Sequence, residues 1–238
     1  MTAPRSRFYA MLALIAMVIG SVGVDRITKS IAQENLMTWS SPTSLKEYLG
    51  RSIPVFAVGE LSSVKDPKFY LEFNFTYVRN QGAAWGLFSD LDDSIRIPFF
   101  YIVTSLAFLV IFLYLRSTPP SHSLIRFALM LILSGALGNF SDRLIHGYVI
   151  DFLDFNWVVP LPFHLNVNID FFPQFMNFLN LHVDARAWSY DFPKFNWADS
   201  MITVGVFCLI LDALFLESGR QKKVAFQKFA EDAQQKVF

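Results

Sequence analysis

Asn139, Asp142 and Arg143 stand at i, i+3 and i+4 in the stretch G-A-L-G-N-F-S-D-R that opens at Gly135. A helix carried through it puts all three on one face, with Gly135 one turn earlier. They follow directly on an apolar run. A charged side chain at the centre of a bilayer costs roughly 2.5 to 3.5 kcal/mol on insertion scales, so charge placed there lines a cavity or marks function. Asp151 and Asp154 come a few residues later, and Gly135, Ala136 and Gly138 are small enough to let a neighbouring helix approach closely. Two carboxylates that meet share a proton, because like charges a few ångströms apart cannot both ionise cheaply. Such a pair can activate a water and protonate a leaving group, and the chemistry it predicts is amide hydrolysis without a metal.

The elements that must position these residues are membrane helices. Of the 238 residues 53% are hydrophobic and 17% charged, and the mean hydropathy is +0.38, which is too apolar for an ordinary soluble domain of this length. The formal net charge is zero and the basic residues are scattered, so nothing points to nucleic acid. The sole cysteine, Cys208, lies in an apolar run and excludes both an internal disulfide and a cysteine metal site. Uncharged or nearly uncharged runs at 8–24, 97–115, 125–141 and 199–216 predict four spans. Arg5 and Arg7 before the first run, Arg116 and Arg126 around the second loop, and Arg220, Lys222, Lys223 and Lys228 after the fourth place both termini and the 217–238 tail on the cytoplasmic side. Arg26 and Lys29 fall on the other side and weaken that rule locally. Ser21-Val22-Gly23 has the spacing of a signal-peptide cleavage site, which is the competing reading of the first run.

Two long segments, 25–96 and 142–198, then face outward. Within the first, F-Y-L-E-F-N-F-T-Y-V over 69–78 reads as a strand and Asn80-Gln81-Gly82 as a turn, while 37–68 reads as irregular chain with short strands. The second is crowded with Phe and Trp from 152 to 195; it either rests on the bilayer surface or forms a small aromatic core. Apolar residues at helical spacing over 225–237 predict an interfacial helix. The expected fold class is therefore membrane α-helical, four transmembrane helices with an extracytoplasmic β-rich segment and a long aromatic extracytoplasmic loop, in a single domain over 1–238.

On this topology Asp25 follows the first span, Asn80 lies in the first outer segment, Asn139 to Asp151 end the third span and Asp199 begins the fourth, all at one membrane face. Unrelated loop charges have no reason to gather so. Each acid also has a plainer reading: Asp199 as a helix N-cap beside Ser200, Asp151 as a solvated loop acid, Asp142 as the ion-pair partner of Arg143, and Asp212 as an acid that snorkels or pairs near the cytoplasmic end. His122, His146, His164 and His182 lack the spacing of a zinc peptidase, and no serine-hydrolase elbow, Walker motif or dinucleotide fingerprint appears. A serine with a lysine base would need Lys29 or Lys194 beside a serine. A transporter or channel subunit using the same acids as a proton relay, and a scaffold that binds without cleaving, are the rival functions.

At these residues the sequence resembles the bacterial lipoprotein signal peptidases (signal peptidase II), membrane aspartyl peptidases. The resemblance is carried, in the family's order, by Asp25-x-x-Thr28-Lys29, Asn80-x-Gly82-Ala83-Ala84-Trp85, Gly138-Asn139-x-x-Asp142-Arg143, Val149-x-Asp151-Phe152 and Phe195-Asn196-x-Ala198-Asp199-Ser200. It does not cover 37–68 or 156–194. Because the family pattern includes the first span, the resemblance implies that this helix is retained. It further implies a catalytic pair Asp151 and Asp199, with neither Asp142 nor Asp154 as partner. Asn80, Gly138, Asn139, Arg143 and Asn196 are then expected to hold substrate or orient the pair, and Asp25, Lys29 and Asp142 to support them. The implied reaction removes the signal peptide from prolipoproteins by cutting before a cysteine that carries a diacylglyceryl thioether, in the bacterial inner membrane. No cofactor or metal is implied; the expected partners are the lipidated precursors, membrane lipids and inhibitors of the globomycin type.

Overall fold

The computed structural model of the chain describes residues 4–37, 51–59, 68–82, 87–88, 91–160, 167–169, 181–183 and 187–221. The tail helix expected over 225–237, the Ala83-Ala84-Trp85 part of the second motif and most of 37–68 lie outside these residues.

Four helices are long and apolar enough to cross a membrane: α1 (Pro4–Leu36), α2 (Asp93–Ser117), α3 (Ser123–His146) and α4 (Trp197–Leu211), which runs on through a π-helical turn at Asp212–Leu216 to Gln221. Their flanks expose Ile19, Ile102, Val110, Phe207 and Phe215, as helices facing lipid do. The first helix corrects the sequence reading, which ended it at 24 and placed Asp25 in an outer segment. The apolar span is Phe8–Leu36, 29 residues, and at about 1.5 Å per residue its last turns reach beyond a hydrocarbon core about 30 Å thick. Val18, Asp25, Lys29, Ala32 and Leu36 are its buried residues, at spacings of three, four and seven that make one face. The helix continues past its charges because that face has partners waiting: Ala32 and Leu36 pack with Tyr77, Ile150 and Phe152.

The helices α3 and α4 approach closely. A Cβ on Gly135 would lie 2.2 Å from the carbonyl oxygen of Ala198, and one on Gly138 would lie 2.6 Å from Asp25 Oδ2, so neither position admits a larger side chain without movement. Toward the other end Ile111, Ile125 and Leu129 form a second core with Leu115, Ile132 and Leu209. Helix α3 stops at Gly147, whose φ of 78° is the left-handed cap that glycine adopts without penalty, and its N–H closes on Arg143 O at 3.0 Å. Tyr148 alone then separates the cap from a strand.

That strand, β3 (Val149–Pro160), is central in an antiparallel sheet of order β1-β2-β3-β6, with β1 Ile53–Gly59, β2 Tyr70–Asn80 and β6 Ala187–Asp191; β4 (Val167–Ile169) and β5 (Leu181–Val183) form a separate pair. The expected strand over 69–78 is β2, extended to Asn80. The segment read as aromatic loop from 152 thus opens as a strand, because its rings have cross-strand partners. Phe73 faces Phe56 on one side and Phe155 on the other, and Phe155 in turn stacks toward Phe195, with ring centroids 5.8, 4.3 and 6.1 Å apart.

Candidate active site

Two local devices bring distant residues to one shared end of α1, α3 and α4. A bulge between Phe75 and Val78 sets the β2–β3 register so that Val78 opposes Asp151 and Asn80 opposes Val149. On the far edge of β3 the chain returns at Phe195, whose N–H donates to Leu153 O while its carbonyl accepts from Phe152 N and Leu153 N at 2.9 to 3.1 Å. Asn196 is thereby delivered to the strand and starts α4 at once.

Asn196 caps that helix with a reciprocal pair of bonds. Its Oδ1 accepts from Asp199 N at 3.1 Å and its own N–H donates to Asp199 Oδ2 at 3.1 Å. Asp199 is therefore not the N-cap that a plain reading made of it; it is the return half of a capping box, three residues in. Asp199 Oδ1 accepts from Asn139 Nδ2 at 2.7 Å. Asp151, 1% exposed, accepts from Asn80 Nδ2 at 2.9 Å and from Asn196 Nδ2 at 2.7 Å. It is no solvated loop acid. Burial, with the Asp199 carboxylate close by, pushes the Asp151 carboxyl well above the usual carboxylate range.

The amides have fixed orientations. Lys29 Nζ lies 3.2 Å from Asn139 Oδ1, and an ammonium only donates, so the oxygen of Asn139 faces Lys29 and its nitrogen is left for Asp199. Asn196 Nδ2 also reaches Asn139 Oδ1 and Ile150 O, each at 3.2 Å. One asparagine thus touches both acids and the amide that serves one of them.

Lys29 is itself enclosed, 2.9 Å from Asp25 Oδ2 and 2.9 Å from Asp142 Oδ2. Arg26 completes a group of two cations and two carboxylates through Asp142 Oδ1 at 2.5 Å. Each carboxylate also holds backbone: Asp25 Oδ1 accepts from Ala198 N at 3.0 Å, in the first turn of α4, and Asp142 Oδ2 accepts from Ile150 N at 3.2 Å, next to Asp151. This corrects the pairing of Asp142 with Arg143, since neighbours in a helix point apart. Arg143 instead donates to Gly82 O at 2.8 Å, with its guanidinium carbon 4.4 Å from the centre of the Phe100 ring. Lys29 faces carboxylates and an amide rather than a serine, and Lys194 lies 3.5 Å from Asp154 Oδ1.

A cavity of about 650 Å³ opens among these groups, lined by Asn80, Asn139, Arg143, Asp151 and Asp199, with Phe192, Phe195 and Lys194 in its wall. The structure brings Asn80, Asn139, Arg143, Asp151, Asn196 and Asp199 together, with Gly138, Asp25, Lys29 and Asp142 directly behind, whereas Asp212 lies at the opposite end of α4 and pairs with Arg220. Among the described residues no three His, Cys, Asp or Glu side chains converge as metal ligands. Sequence reasoning missed Arg26 and Ser21. Ser21 Oγ accepts from Ser134 Oγ at 3.1 Å and from Trp197 Nε1 at 3.2 Å, tying α1 to α3 and α4. A lone hydroxyl within an apolar span was the available signal.

The family model described as signal peptidase (SPase) II matches residues 15–215. Relatives include the lipoprotein signal peptidase of Anaeromyxobacter sp. (strain Fw109-5), 35% identical over 207 residues, which are 85% of this chain and 84% of the relative. That of Staphylococcus carnosus (strain TM300) is 36% identical over 167 residues, 70% of this chain and 79% of its own. Two solved bacterial membrane enzymes share the fold. One has a TM-score of 0.52 and 27% identity, covering 85% of this chain and 87% of that one; the other has 0.51 and 25%, covering 86% and 94%. With four apolar helices, a small antiparallel sheet and a match over most of its length, the chain belongs to the signal peptidase II family of membrane-embedded peptide hydrolases.

Proposed function

We propose that the chain cleaves signal peptides from bacterial prolipoproteins with Asp151 and Asp199 as a catalytic pair that holds one proton between them. The observation that carries this reading is that two acids from different elements line one cavity, accept hydrogen bonds from the neutral amides of Asn80, Asn139 and Asn196, and are joined through Asn196. The raised carboxyl of Asp151 supports a pair in which one member stays protonated at neutral pH.

In the proposed reaction the ionised acid takes a proton from a water, and the water oxygen bonds to the scissile carbonyl carbon. The protonated partner donates a hydrogen bond to the oxyanion as it forms. When the C–N bond breaks, the pair passes a proton to the departing amine. The products are a signal peptide ending in a carboxylate and a mature chain whose first residue is the S-diacylglyceryl-cysteine. Arg143, Asn80, Asn139 and Asn196 hold substrate or orient the pair, and the closeness of Gly138 to Asp25 and Ala198 keeps α3 near the start of α4. Asp25, Lys29 and Asp142 support them.

A diacylglyceryl substrate does not leave the bilayer, so the enzyme works as a single multi-pass domain over 1–238 in the cytoplasmic membrane. Both termini are cytoplasmic, the cavity is extracytoplasmic, and lipids surround the spans. Globomycin-type peptides compete for the same cavity. The test is conversion of a diacylglyceryl-modified precursor by the purified protein and by Asp151→Asn and Asp199→Asn. Each substitution is expected to slow conversion by at least about 10³-fold; undiminished turnover in either overturns the reading.

A further inference from the structure

Among the described residues helix α2 lends none to the cavity wall, yet a buried cation stands near its start. Arg96 is 3% exposed. The dipole of a helix favours acids rather than cations at that end, so helix stability does not account for it. Asp93 in the same turn pairs with Nη2, and Nη1 donates to Gln81 Oε1 at 3.1 Å, fifteen residues earlier in the chain. A guanidinium only donates, so the oxygen of Gln81 is fixed toward α2. One turn further along α2, the ring of Phe100 carries the guanidinium of Arg143, which donates to Gly82 O at 2.8 Å. Two consecutive residues of the 80–82 segment are thus held, one from α2 and one from α3. Between them Gly82 N donates to Asn80 Oδ1 at 3.0 Å, which leaves Asn80 Nδ2 for Asp151.

We infer that Arg96 is a positioning residue: through Gln81 it holds the 80–82 segment where Asn80 donates to Asp151. The inference rests on the peptidase reading and adds to it a group that touches neither of the two acids. A segment anchored only by Arg143 at Gly82 O can pivot about that one bond. The second anchor, from a different helix, removes the pivot. Asn80 needs that restraint because its amide must meet one carboxylate oxygen at 2.9 Å, and a displacement of about 1 Å near reacting groups can cost about 10²-fold in rate.

Turnover of a diacylglyceryl-modified precursor by the full-length protein in lipid-detergent micelles tests this. Arg96→Gln and Gln81→Ala are each expected to lower kcat by about 10- to 100-fold, with KM within about twofold because the cavity wall is untouched. Arg96→Lys, which can still donate to Gln81, recovers most of the loss. Asn80→Ala removes the group that Arg96 acts through, so adding Arg96→Gln to it costs nothing further. A loss that multiplies on top of Asn80→Ala marks a general effect on folding and overturns the inference, as does wild-type kcat in either single variant. If Arg96→Gln does not fold, Gln81→Ala gives the same reading with the Arg96 and Asp93 pair left in place. A wild type that cleaves no precursor overturns the peptidase reading and the inference with it.

Discussion

Helix α4 and its continuation carry a carboxylate near each end, and the two keep opposite company. At the C-terminal end Asp212 meets Arg220 through both oxygens, one at 2.8 Å and the other closer, in a cavity that also holds His122 and Glu217. At the N-terminal end Asp199 meets two neutral donors, with Asp151 and Arg143 in the same cavity. An acid closed by a guanidinium is electrostatically finished: it holds the chain and has no proton to trade. An acid held at both oxygens by amides keeps its position through neutral donors, with the charges of Lys29 and Arg143 felt through space. Identical side chains on one helix thus differ through their neighbours, one placed to hold the chain and the other, in the proposed reaction, to react.

The contrast breaks most visibly in turnover. Asp199→Asn should cost at least about 10³-fold in precursor conversion. Asp212→Asn, remote from the cavity, should leave conversion within about twofold and lower the thermal midpoint only slightly, by the equivalent of about 1 kcal/mol for a part-exposed pair. Equal losses from the two would erase the distinction.

The charges behind the cavity of Asp151 and Asp199 come next in size. Lys29→Met leaves Asp25 and Asp142 facing each other without their shared buried cation, and should destabilise the protein by about 3 to 5 kcal/mol. Combining it with Asp25→Asn and Asp142→Asn should recover part of that, as read by thermal unfolding in detergent. Gly138→Ala forces a methyl against Asp25 Oδ2 at 2.6 Å and Ala198 Cβ at 3.0 Å, with an expected cost of about 1 to 3 kcal/mol.

The smallest effect has an unusual sign. Asp151 titrates above its unfolded value, so its contribution to stability is present at low pH and lost as pH rises through the folded value. Asp151→Asn should therefore unfold at a higher temperature than the wild type at pH 8 while being inactive, and the gap should close toward about pH 4, near the ordinary carboxylate value.

The four apolar runs, the strand over 69–78 and the gathering of Asn139, Asp151 and Asp199 were legible because each depends on local composition or on the order of the predicted spans. The continuation of α1 to Leu36 was not. Asp25, Arg26 and Lys29 look like a helix end in water, and the burial of Asp25 and Lys29 is offset by their own pair, by Asp142 and Asn139 on α3 and by the Ala198 N–H of α4. The strand character of 152–160 was hidden for a related reason, since its aromatic residues show their role only when Phe73 and Phe195 lie across from them. Asn196-x-x-Asp199 carried the pattern of a reciprocal cap, but the sequence reading began the span at Asp199, three residues after the cap at Asn196. Lys194 and Asp154 lie forty residues apart in the chain, and their pairing has no local signature.

The proposed pair requires one proton shared by two acids, and infrared difference spectroscopy of the carboxylic C=O band at neutral pH reads that proton directly. The account predicts one protonated buried carboxyl in the wild type, lost in Asp151→Asn and unchanged in Asp212→Asn. A wild type with no such band, or a band that survives both Asp151→Asn and Asp199→Asn, would contradict it.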